Sequence, residues 1–174
     1  MRHAIVWLGA VTGWLSGVPA AACEARDAKA DESPLETRRP VRGEEVRLTT
    51  GFGMRRYPLI YELRLHAGVD WAAPHGSPVV AAAAGRVLST TTSGEFGNTI
   101  FIDHGAGWQT AYAHLSAVDV GADDCVMFGT IIGKVGSTGI ASGPVLHFEL
   151  WQDGRPIDPM SLPAKRARPM IDDK

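Results

Sequence analysis

Two side chains that could share a metal ion stand four positions apart in LHAGVDWAAP, residues 65–74: the imidazole of His66 and the carboxylate of Asp70. In an extended chain successive side chains alternate between faces. His66, Gly68 and Asp70 then share one face, and Leu65, Ala67, Val69 and Trp71 form an apolar face opposite. Zinc accepts a histidine nitrogen at about 2.0–2.1 Å and a carboxylate oxygen at about 2.0–2.2 Å, and a hydrolytic site needs three protein ligands with a fourth position open. The pair alone fits a solvated strand face equally well, so a third donor has to come from elsewhere. Two segments offer one, YAHLS with His114 and VLHFEL with His147. By the same alternation Tyr112 and His114 face away from Ala113 and Leu115, while Val145, His147 and Glu149 face away from the apolar set Leu146, Phe148 and Leu150. Separate strands that each turn a histidine away from an apolar side point to one common cleft.

Other reactive groups read more plainly. His75 in APHGSP is a surface turn residue, and His104 in IDHGAG ends a strand at a turn. Glu149 is expected as an exposed carboxylate, the alternative being a hydrogen bond to a metal-bound histidine. Ser137, Thr138 and Ser142 lack the G-x-S-x-G context of a serine hydrolase, so GSTGIASG reads as a loop beside the cleft. Cys125 in DDCVMFG carries no signature of a thiol nucleophile.

The elements that must position these groups are short strands. With 20 Gly and 11 Pro in 174 residues, the chain is cut by turns too often for long helices. Candidate strands run over 47–50, 65–71, 79–87, 98–103, 108–115, 130–135 and 145–151, most of them rich in Val, Ile, Thr, Phe or Tyr. No sustained 3.6-residue apolar pattern competes, so the expected fold class is all-β with mainly antiparallel sheets. A composition of 45% hydrophobic and 21% charged residues is that of a globular domain. The formal charge of −2 gives no bulk attraction to nucleic acid or anionic membrane.

The N-terminus reads as an export signal. Arg2 precedes an apolar run from Ala4 to Val18, and Ala20, Ala21 and Ala22 offer a small-residue cleavage site. The run is too short for a membrane span, and no later segment is a transmembrane candidate. The expected division is therefore a signal peptide over 1–22, a charged flexible linker over 23–45, one domain over 46–163 and a polar tail over 164–174. The expected location is the periplasm or cell envelope. Cys23, just after the alanines, is a candidate for acylation as a lipoprotein, although Ala20 is smaller than such sites usually carry. A Cys23–Cys125 disulfide would suit the same oxidising compartment.

From about Gly51 to Pro159 the chain resembles the catalytic domain of the lysostaphin/LytM-type zinc endopeptidases that cut peptidoglycan cross-links. GFGMRRYP, LHAGVDWAAPHGSPVVAAAAGRV, GNTIFIDHGAGWQTAYAHLS, IIGKVGSTGIASGPVLHFEL and DGRPIDP carry the resemblance, in the family's order. It implies a zinc ion held by His66, Asp70 and His147, with His114 as a catalytic residue that does not bind the metal, and peptidoglycan peptide stems as substrate. The sequence departs from the family at one place. The strand that normally reads His-Leu-His has Val145 at its first position, and valine can neither accept a proton nor donate a hydrogen bond. Two readings follow: a zinc endopeptidase of reduced activity, or an inactive zinc-binding envelope protein that binds peptidoglycan or regulates another cell-wall hydrolase.

Overall fold

The computed structural model describes residues 35–56 and 63–162. The signal and lipidation readings, the first half of the linker and the tail from 164 on lie outside these residues. Every regular element described is a strand: β1 Arg47–Thr50, β2 Gly53–Arg56, β3 Leu63–His66, β4 Gly68–Ala72, β5 Pro78–Val80, β6 Gly85–Ser93, β7 Gly97–Gly105, β8 Trp108–Val118, β9 Cys125–Val126, β10 Ile131–Val135, β11 Val145–Gln152 and β12 Arg155–Ile157. The fold is all-β, and the pairings among these strands are all antiparallel. The main sheet runs β1-β4-β11-β8-β7-β6-β9, with β12 on β11 and β10 joining β8 to β5; β2 and β3 form a separate hairpin.

One face of the main sheet supplies the core. Val69 and Trp71 from β4, Leu146, Phe148 and Leu150 from β11, Tyr112 from β8 and Ile100 and Ile102 from β7 are buried together. The alternation of β11 is therefore as the sequence predicts. That of 65–71 is only half so. Val69 and Trp71 are buried, but Leu65 is 45% exposed, because the stretch breaks at Ala67 and β3 pairs with β2 outside the main sheet.

The expected strand over 79–87 is also broken. Ala81 to Ala84 form a buried bend between β5 and β6, and four methyl side chains allow backbone to close on them from several directions. Ala81 N–H donates to Thr130 O, Ala82 O accepts from Glu36 N–H, and Ala82 N–H donates to the Tyr112 hydroxyl at 2.9 Å. That hydroxyl lies 3.0 Å from Thr110 Oγ1, which is 2.8 Å from His104 Nε2, and His104 Nδ1 is 2.8 Å from Ala84 O. A neutral imidazole donating from Nδ1 and accepting at Nε2 satisfies this whole chain. His104 does end β7 at a turn, as expected, but it is a buried link in the network. Burial also pushes the Tyr112 phenol up to about 12, so it stays protonated at any physiological pH. Tyr112→Phe leaves the Ala82 amide without its acceptor, and urea unfolding should show a loss of about 1–3 kcal/mol.

The linker reading needs correction over its second half. Leu35 and Val41 are buried in the core, Val41 bridges Val79, and Val80 N–H donates to Pro40 O. Arg38 and Arg42 reach Met160 O and Gly129 O. The apolar residues of this stretch are too widely spaced to show periodicity, yet Leu35 joins the core and Val41 sits against Val79 of β5. Cys125 is disulfide-bonded, and Cys23, the chain's other cysteine, lies outside the described residues.

Candidate metal centre

Three strands deliver the cluster. His66 closes β3, Asp70 lies in β4, and His147 is the register partner of Asp70 on β11. His66 Nε2 is 3.1 Å from Asp70 Oδ1 and 3.1 Å from His147 Nδ1, and His147 Nδ1 is 2.8 Å from the same carboxylate oxygen. The other ring nitrogens are already engaged. His66 Nδ1 is 2.8 Å from Gly51 O, to which it donates, and His147 Nε2 lies 2.9 Å from Glu149 Oε1. With those protons assigned, the remaining two imidazole nitrogens present lone pairs to each other and to a carboxylate. Such a donor set requires a shared cation, either a proton or a metal ion. Two histidines and one aspartate fit zinc by donor type.

When no metal is bound, a proton takes that role. Burial would favour a neutral His147, but its hydrogen bonds to Asp70 and Glu149 and their charges outweigh this and push the imidazolium up to about 9. Burial likewise opposes the charge on Asp70, yet hydrogen bonds to His147 and His66 hold its carboxyl well below the usual range. Glu149 is lowered as well: burial raises it, and His147, then Trp151, more than compensate.

Glu149 was expected to be exposed and is not. It is 5% exposed, with Oε1 on His147 and Oε2 accepting from Trp151 Nε1 at 2.8 Å. A carboxylate on the far nitrogen of a metal-binding histidine fixes its tautomer and raises its basicity. Gly68 makes this possible, because a Cβ there would stand 2.9 Å from Glu149 Cγ and 3.0 Å from His147 Cε1. Glu149→Ala should weaken zinc binding about 10–100-fold, read by competition with a chromophoric chelator.

His114 joins the same groove by a route the alternation rule does not foresee. Tyr112 and Leu115 are both core residues, so His114 does not share the Tyr112 face. Between the Ile100–Tyr112 and Asn98–Leu115 pairs β8 carries one extra residue, and His114 has φ 63°. A histidine in this left-handed region costs of order 1–3 kcal/mol of backbone strain. The bulge turns its ring toward His147, with centroids 6.0 Å apart. Its Nδ1 donates to Thr138 O at 2.9 Å, and its backbone N–H donates to Phe96 O, which leaves Nε2 for the groove. Burial depresses the His114 pKa below 6.5; the Thr138 contact resists this and the charge of His147 adds to it. The ring is thus neutral at neutral pH.

These groups line an open groove of about 620 Å³. Phe96, Ile140, Pro144 and Val145 give it apolar lining, and Arg47, Arg55 and Arg64 add positive charge. The Phe96 ring lies 5.5 Å from His147 and 6.5 Å from His114. Ser142 is part of the lining, and Thr138 acts through its carbonyl, so GSTGIASG is a loop beside the cleft as read. His75 is exposed in a turn away from the groove. The roles of Phe96, Thr138 and Gly51 at the cluster are not legible in the sequence, although the loop holding Thr138 is. Two of these work through backbone carbonyls, which leave no residue-type signal.

Comparison with known proteins agrees with this geometry. The model of peptidase family M23 matches residues 64–159. The chain is 44% identical over 117 residues to the DD-carboxypeptidase/endopeptidase Mpg of Neisseria meningitidis, an alignment covering 67% of this chain and 27% of Mpg. Peptidoglycan DD-endopeptidase ShyA of Vibrio cholerae is 38% identical, over 66% of this chain and 27% of its own length. The chain thus spans about a quarter of these relatives. Among solved structures, a zinc-containing peptidase from Vibrio cholerae superposes with a TM-score of 0.69 at 34% identity, covering 74% of this chain and 41% of that one. The catalytic domain of lysostaphin from Staphylococcus simulans gives 0.59 at 30% identity, covering 66% and 90%. By its strands, its histidine and aspartate cluster and its sequence, the chain belongs to peptidase family M23.

Proposed function

We propose that this protein is an exported zinc-dependent endopeptidase that hydrolyses peptide cross-links of bacterial peptidoglycan, acting in the periplasm or cell envelope. The observation that carries the reading is the convergence of His66 Nε2, Asp70 Oδ1 and His147 Nδ1 at 2.8–3.1 Å from one another in an open groove, in a chain related to peptidoglycan DD-endopeptidases. A zinc ion held by His66, Asp70 and His147 would supply Lewis acidity toward a carbonyl and toward water. Every other task falls to the chain's own residues. His114, neutral and fixed by Thr138, accepts the proton of the attacking water at Nε2 and passes it to the leaving amine. Glu149 and Gly51 hold the two ligand histidines in the required tautomers. Phe96 covers one flank of the cluster and limits access of bulk water.

Val145 lines the groove two residues before His147, where the resemblance places a second catalytic histidine. This favours low turnover, and it is the observation behind the second reading, an inactive envelope protein that retains the ion and binds peptidoglycan or regulates another cell-wall hydrolase. A metal titration tests what the two readings share. Adding zinc to metal-free protein at pH 7 should bind about one ion per chain and release protons, because His147, with a pKa of about 9, must lose its proton to become a ligand. Asp70→Ala should bind far more weakly. Absence of zinc uptake by the native protein would contradict both readings. Cleavage of cross-linked peptidoglycan that requires zinc and stops with chelator separates the enzyme from its inactive alternative.

A further inference from the structure

We propose that the groove holds a carboxylate-binding subsite centred on Arg47, which selects peptides carrying a free carboxylate close to the scissile bond. The inference rests on the endopeptidase reading for its substrate and on sheet register for its place. Arg47 of β1 is the partner of Ala72 on β4, and Ala72 is the partner of Val145 on β11. The next row on the same face is Thr50, Asp70 and His147. Arg47 therefore stands in the row beside the histidine cluster, one stride of about 6–7 Å along the strands. Ala72 carries only a methyl group between Arg47 and Val145, too short to screen the guanidinium from the groove that all three line.

The charged residues of the groove lining favour an anionic ligand. Arg64 lies 3.5 Å from Glu95, and Arg55 lies 3.9 Å from Asp70 Oδ2. Arg47, exposed at the groove edge, adds a third guanidinium against those two carboxylates. Phe96, Ile140 and Val145 add apolar lining to the same groove. An aliphatic peptide with one carboxylate suits this mixed lining, and a guanidinium recognises carboxylate through paired, charge-assisted hydrogen bonds. In a cross-linked stem that carboxylate has two sources: the chain terminus, or the free carboxyl of a diamino acid whose amine forms the cross-link.

The test uses three synthetic cross-linked peptides: one with both carboxylates free, one amidated at the diamino acid and one amidated at the terminus. Equilibrium binding is measured with metal-free and zinc-loaded protein, for the native chain and for Arg47→Gln. Amidating one of the two positions should weaken native binding about 10–100-fold, the range of a charged hydrogen bond, and that peptide identifies the source. Arg47→Gln should bind all three peptides alike, with native zinc stoichiometry and melting temperature. Equal native affinity for the three peptides would overturn the subsite, as would a carboxylate preference that survives in Arg47→Gln. Turnover is read separately: a preference lost in Arg47→Gln but with none of the peptides cleaved would defeat the endopeptidase reading and leave the subsite standing.

Discussion

His114→Ala should lower peptidoglycan turnover by about 10²–10⁴-fold while zinc stays bound, the range for loss of a general acid–base group. Its Nδ1 is hydrogen-bonded to Thr138 O, and the three cluster atoms bond one another without it, so metal stoichiometry should not change. The same substitution removes a residue held at positive φ, and alanine suffers the same strain there; stability should therefore change little from the backbone. The pH profile gives a second readout. Since the folded His114 pKa is depressed below 6.5, the neutral ring persists into mildly acidic solution, and the acid limb of kcat should fall below pH 6.5. A nearby bound cation moves that limb further in the same direction. Loss of zinc in His114→Ala would instead make this residue part of the metal site.

Val145→His should raise turnover by a comparable factor, about 10²–10⁴-fold. The side chain is half-buried at the groove and shares its face with His147, so an imidazole there reaches the reacting groups without entering the core. The stability cost should be no more than about 1–2 kcal/mol. Native activity that is slow and abolished by His114→Ala marks an enzyme working with one histidine. Undetectable native activity that Val145→His creates marks an inactive relative one substitution from catalysis. A variant that binds zinc yet gains nothing over an inactive native protein would show that position 145 does not serve the reacting groups.

How much of this was readable in the sequence depends on whether a feature is carried by side-chain type. Alternation placed Leu146, Phe148 and Leu150 in the core and His147 opposite, because β11 is a regular central strand. It misplaced Tyr112 relative to His114, because a bulge and one left-handed residue shift the register of β8. It also joined β3 to β4, which belong to different sheets. Burial of Glu149 was missed for a related reason. Alternation gives a face but does not say what covers it, and here Trp151 and the missing side chain of Gly68 let the carboxylate pack beside His147. Leu35 and Val41 lie in a charged stretch whose composition resembles a linker, and only the folded core, with Val41 bridging Val79 of β5, shows why they are buried.

The most direct measurement is digestion of purified, cross-linked peptidoglycan by the zinc-loaded protein, with the soluble fragments identified by mass. Slow appearance of uncross-linked stems is predicted, the two products of each cut amide together outweighing the cross-linked parent by one water, with glycan strands intact and no cleavage after chelation or in Asp70→Ala. Fragments cut in the glycan, or cross-links left whole by protein shown to hold one zinc ion, would contradict this prediction.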